Sequence, residues 1–119
     1  MLKNLFIVGV GGFIGTAARF AAYQLVKPSA VFWITLSVNI LGCLLIGIFT
    51  GMAVKNGLTQ QEKLFLTSGF CGGFTTFSAF SIENVKLMQE GKYLLAASYI
   101  ILSIIAGIAS AFLGYKLTN

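Results

Sequence analysis

The sequence predicts an all-α integral membrane protein of four transmembrane helices, the third of them broken, in one domain covering residues 1–119. Three observations carry that prediction. Of the 119 residues 57% are hydrophobic and only 9% charged, and the mean hydropathy is +0.91, far from the usage of soluble domains. Four mostly apolar stretches are each long enough to cross a hydrocarbon core about 30 Å thick at about 1.5 Å of rise per residue. They run unbroken rather than alternating, so they read as helices and not as barrel strands.

The first stretch is Leu5–Leu25. Gly11 and Gly15 give it a small-xxx-small face for close helix approach. Arg19 lies near its end and must snorkel, pair or face water, which leaves an interfacial anchor and a vestibule charge both open. Lys3 followed by an apolar run to Thr16-Ala17-Ala18 imitates a cleavable signal. That reading is set aside because cleavage would strand three helices. The connection Val26–Ser29 holds the only proline, Pro28.

The second stretch, Ala30–Val54, carries Thr35, Asn39 and Gly42 at i, i+4 and i+7, one polar stripe of helical period with Asn39 well inside the span. The fourth, Tyr93–Tyr115, aligns Tyr99, Ser103 and Ser110 within about 40° of one another on a helix. Each ribbon reads either as interhelical hydrogen bonding or as the lining of a polar path. Gly47, Gly51, Gly107, Ala111 and Gly114 add further close-packing positions.

The third stretch, Leu64–Ile82 with polar extensions to Glu62 and Gln89, is the most informative. Gly72-Gly73 followed by Thr75-Thr76 puts poor helix formers and backbone-competing hydroxyls at mid-span, which should interrupt the helix. Carbonyls freed there are tolerated only if buried in protein or lining a cavity, and such carbonyls commonly hold a cation. No carboxylate side chain accompanies them, which favours a monovalent ion over calcium or magnesium. Beyond the break Phe77 and Phe80 share a face with Ser81 and Asn84. Aromatic rings have positive edges, so this pair reads either as core packing or as an anion-attracting surface.

Composition also excludes classes of function. There is no histidine, and the only acidic side chains are Glu62, Glu83 and Glu90, so paired acid–base groups and clustered metal ligands are lacking; an enzyme is not expected. Cys43 and Cys71 fall inside spans, where a thiol serves as a small apolar residue. The net charge of +5 comes from isolated cations beside helix ends, which suits anionic lipid headgroups and not nucleic acid.

Gly69 to Glu83, reading G-F-C-G-G-F-T-T-F-S-A-F-S-I-E, resembles the signature of the Fluc (also called CrcB) fluoride channels, G-x-C-G-G-x-T-T-F-S-T-F-S-x-E. Gly11 to Arg19 and Thr35 to Gly42 supply supporting motifs, and length, helix count and motif order agree along the whole chain. The resemblance implies a passive, fluoride-selective channel that exports toxic fluoride, built as an antiparallel homodimer with two pores and a structural sodium ion on its axis. By motif, Phe77 and Phe80 resemble the aromatic box of the pore, with Ser81 beside them, and Asn39 resembles its amide donor. The backbone carbonyls of Gly72 and Thr75 resemble the sodium ligands, Tyr99 and Ser103 the polar track of the fourth helix, and Arg19 the vestibule arginine. Ala79 and Gly107 depart from the family pattern, each removing a hydroxyl. The implied setting is a multi-pass protein of a bacterial plasma membrane, with the lipid bilayer, fluoride and a second copy as its partners.

The physical chemistry agrees with that resemblance. A pore for small, strongly hydrated fluoride must replace its water with amide and hydroxyl donors and ring edges without a central lysine or arginine to trap it, and none stands mid-span. A proton-coupled exporter of the small multidrug resistance type matches in length and helix count, but it needs a carboxylate in the first span, and Leu5–Leu25 has none. A non-transporting scaffold subunit is a third alternative. Charge counting predicts dual topology: Lys3, Lys55, Lys63 and Lys116 fall on one side, Arg19, Lys27, Lys86 and Lys92 on the other, a tie of four against four.

Overall fold

A computed structural model describes residues 1–119, and every regular element in it is helical. Helix α1 is Leu2–Gln24; a 3₁₀ turn at Pro28–Ala30 leads into α2, Val31–Val54. Helix α3, residues 60–74, joins Gln60–Lys63, a π-helical run Leu64–Cys71 and Gly72–Phe74; α4 is Phe77–Gln89 and α5 is Tyr93–Thr118. Three segments, Leu2–Gln24, Pro28–Val54 and Tyr93–Thr118, with 23, 27 and 26 residues, are long and apolar enough to cross a bilayer. The third predicted stretch is divided between α3 and α4, whose lengths of about 22 and 20 Å are each short of the hydrocarbon thickness.

Local chemistry sets the ends of these elements. Pro28 needs no amide donor in the first turn of its 3₁₀ segment. Thr59 opens α3 by accepting the Glu62 N–H at 3.1 Å while its hydroxyl reaches Glu62 Oε1 at 3.2 Å. Helix α4 closes at Gly91, whose φ of +77° suits a residue without Cβ. There the Gly91 N–H returns to Met88 O and the Lys92 N–H to Leu87 O, and the chain reverses into α5.

Only 17 of 119 residues are buried, while large apolar side chains such as Phe6, Phe13, Ile105, Ile108 and Phe112 stand outward. A surface of that kind needs lipid or another protein against it. Interhelical contact is made by glycines instead. The most extensive pairing is between α2 and α5, where a Cβ at Gly47 would meet the Ala111 backbone and one at Gly114 the Leu44 carbonyl. Helix α1 meets α3 in the same way: a Cβ at Gly15 would fall on Phe70 O, and one at Gly73 on Gly12 O. Backbone lies on backbone at both crossings.

This contrast is testable with two glycines of adjoining helices. Gly47→Ala should lower the thermal midpoint in detergent, at a cost of about 1–3 kcal/mol for overpacking. Gly107→Ala, whose new methyl would meet only Cys43 Sγ at an ordinary 3.5 Å, should melt within the error of the parent. Equal melting of both variants would contradict the crossing described.

Candidate functional site

Helical geometry stops at Thr75 (φ −84°, ψ 158°) and Thr76 (φ −148°, ψ 115°) and resumes at Phe77. The local sequence explains why. The Thr75 N–H and Oγ1 both turn back to Cys71 O, at 3.0 and 2.9 Å, and close α3. Thr76 Oγ1 accepts the Ala79 N–H at 3.1 Å and opens α4 as its N-cap. What holds the gap is Asn39 of α2, whose Oδ1 accepts the Thr76 N–H at 2.8 Å and whose Nδ2 donates to Thr76 O at 3.0 Å. One side chain thus satisfies both polar groups of the residue that the break exposes.

The carbonyls of Gly72 and Thr75 are among those that lose their helical partners as a result. The Thr76 N–H, four residues after Gly72, goes to Asn39, and the Ala79 N–H, four after Thr75, goes to Thr76 Oγ1. Gly73 O is served from α1, by Arg19 Nε at 3.0 Å and Thr16 Oγ1 at 3.5 Å. That puts a guanidinium at the C-terminal end of α3, the negative end of its dipole. Beside the break an open groove of about 290 Å³ is lined by Asn39, Gly42, Cys43, Ile46, Cys71, Gly72, Thr75, Thr76 and Phe77.

The aromatic residues continue from this groove into the chain. Phe77 is 78% exposed, and its ring centroid lies 5.6 Å from that of half-buried Phe80. Phe80 meets Tyr99 edge to face at 4.9 Å, and Tyr99 packs on Phe32 at 4.1 Å. Tyr99 is only 1% exposed, and its hydroxyl donates to Glu83 Oε1 at 2.7 Å. The other carboxylate oxygen, Oε2, accepts from the fully buried Thr35 at 2.6 Å, and Thr35 Oγ1 lies 2.6 Å from Tyr23 Oη.

Of the residues singled out in the sequence, Asn39, Gly72, Thr75 and Phe77 share the groove, Phe80 and Tyr99 follow from it through ring contacts, and Arg19 sits at Gly73. Ser81 and Ser103 are half-buried and form no side-chain hydrogen bond within the chain. Glu83, Thr76, Thr16 and Tyr23 carry parts of the geometry that residue type alone does not reveal. Tyr23 near a helix end reads as an interfacial aromatic, and only its 2.6 Å contact with Thr35 says otherwise.

Three bilayer-length apolar helices and a polar, interrupted segment packed among them define a multi-pass helical membrane protein. Residues 6–115 match the family described as CrcB-like protein, Camphor Resistance (CrcB), and the chain belongs to that family. A protein of Azobacteroides pseudotrichonymphae named fluoride-specific ion channel FluC is 48% identical, with 100% of this chain and 98% of the relative aligned. Proteins of the same name from Chlorobium phaeobacteroides and Campylobacter jejuni are 43% and 42% identical, covering 91% and 97% of this chain and 86% and 97% of their own lengths.

The Asn39 bracket makes a stability prediction independent of transport. Asn39→Ala leaves the N–H and carbonyl of Thr76 without their partners and should cost about 1–3 kcal/mol for each group that water does not reach. A detergent melting curve within a degree of the parent would show that the break is held by something other than this amide.

Proposed function

We propose that the chain is one half of an antiparallel homodimeric channel that passes fluoride passively and selectively, and that α3 and α4 together make the third of its four crossings of the membrane. The observation that carries this is the bracketed break itself. It sets donor-rich Asn39, carbonyl-bearing Gly72 and Thr75, and outward Phe77 around one groove at the chain's own surface. A groove of that chemistry facing lipid would be costly; facing a second copy, it becomes part of a lined passage. The fluoride-channel name of the relatives supports the choice of ion.

In this reading Phe77 and Phe80 present ring edges to the anion, as the 44° tilt between their planes permits, and Ser81, Tyr99 and Ser103 continue the path with polar groups. One Asn39 Nδ2 hydrogen is used by Thr76 O, and the second is available to an anion. Such donors replace fluoride's hydration without a full positive charge to hold it. Arg19, paired with Gly73 O through Nε, keeps its remaining N–H donors for the vestibule. The Gly72 and Thr75 carbonyls, contributed twice about a two-fold axis, suit a single sodium ion between the copies. Neutral carbonyl oxygens suit a monovalent ion, and Cys43 and Cys71 contribute only small apolar bulk to the groove.

The test is ion efflux from liposomes containing only this protein. Fluoride should leave without a proton gradient, and chloride should leave at least about a hundredfold more slowly, a difference of about 2.7 kcal/mol in barrier height. Phe77→Ile and Phe80→Ile should each slow fluoride by tenfold or more. Comparable chloride flux, or a requirement for a proton gradient, would overturn the reading. The assembly is tested separately with a C-terminal topology reporter. Both orientations should appear, and two lysines added on the side of the termini or, separately, in the loops of the opposite side should bias them in opposite senses.

A further inference from the structure

Four side chains from four helices form one hydrogen-bonded line: Tyr23 of α1, Thr35 of α2, Glu83 of α4 and Tyr99 of α5. Their polarity follows from proton counting. Glu83 as a carboxylate can only accept, so the Thr35 hydroxyl gives its single proton to Oε2 and Tyr99 gives its own to Oε1. Thr35 Oγ1 then has only lone pairs left for its other neighbour, and the Tyr23 hydroxyl must be the donor between them. Every proton in the line points toward Glu83. The charged neighbours of that carboxylate, Lys86 of α4 and Glu90 just beyond its end, line a pocket with it against residues 28–32, and neither forms an ion pair with it; the single ion pair of the chain is Lys92 with Glu90.

The line ends on a pore candidate. Tyr99 is fixed at its hydroxyl by Glu83 and at its ring by Phe32, and the same ring meets Phe80 edge to face. The orientation of Phe80 therefore depends on the pose of Tyr99, and that pose on where Glu83 is held. We propose that Tyr23 is a positioning residue for the anion path: through Thr35 it holds the Glu83 carboxylate, and through Glu83 and Tyr99 it sets the pose of Phe80. This rests on the fluoride-channel reading for its consequence but not for its geometry. It gives α1, which contributes no ring to the aromatic cluster, a part in setting one.

A double-substitution cycle in fluoride efflux tests it, with an infrared reading of the carboxylate stretch assigned by Glu83→Gln. Tyr23→Phe, which removes one oxygen and keeps the ring, should slow fluoride by about threefold to tenfold, the worth of one hydrogen bond of about 0.5–1.5 kcal/mol. Thr35→Val should slow it further, and Thr35→Ser should restore it. If Tyr23 acts through Thr35, adding Tyr23→Phe to Thr35→Val should slow it no more. Additive losses, or parental flux in Tyr23→Phe, would overturn the proposal. The carboxylate band should move in Tyr23→Phe and stay at the parental position in Thr35→Ser. An unmoved band in Tyr23→Phe would overturn it as well. A moved band in a protein that conducts no fluoride would refute the channel reading while leaving the hydrogen-bonded line standing.

Discussion

The contact on which the rest of this molecule depends is the two-point bond between the Asn39 amide and the backbone of Thr76. A helix interrupted in the middle of a membrane protein exposes peptide groups that lipid cannot solvate, and each left unmatched costs several kcal/mol. Asn39 removes that cost for one N–H and one carbonyl at once. Because it does so from α2, it also ties the break to the helix that pairs most extensively with α5. The Gly72 and Thr75 carbonyls, the exposed Phe77 ring and the groove beside them all follow from a chain held open at that point.

The framework around it is stiff for a different reason. At the α1–α3 and α2–α5 crossings backbone touches backbone, so no side chain can change rotamer to absorb a shift. The π-helical run Leu64–Cys71 belongs to the same arrangement. Its wider turn, seen in the Gly72 N–H reaching back to Thr67 O, runs along the segment whose Gly69 and Phe70 backbone lies against Gly11 and Gly15. Helix α4 is attached more lightly, through its contacts with α5 and α2 and through the hydroxyl line to α1.

The sequence made the lipid setting, the positions of the apolar stretches and the chemistry of residues 72–80 legible, because these depend on composition and local propensity. Asn39 was recognisable as a costly polar group at depth, and so as one that must bond to something. Its partner was not recognisable, since Thr76 lies 37 residues away and contributes only backbone. Arg19 was ambiguous for the same reason: nothing in its neighbours names Gly73 O, 54 residues on. Glu83 was visible only as one of three acidic side chains. What the structure adds is the pair of hydroxyls from Thr35 and Tyr99, 48 and 16 residues distant, and long-range pairing of that sort is set by helix packing rather than by any motif.

The placement of Tyr99 bears on how the chain is made. Glu83 of α4 is synthesised before the residue that completes its hydrogen bonds, 16 positions later on α5. In that interval its carboxylate has donors only from helices already inserted, through Thr35 and behind it Tyr23. A charge so incompletely matched favours keeping α4 near the headgroups, or within the insertion machinery, until α5 arrives. The last helix therefore does not merely add a wall: it completes the hydrogen bonding of the segment made before it.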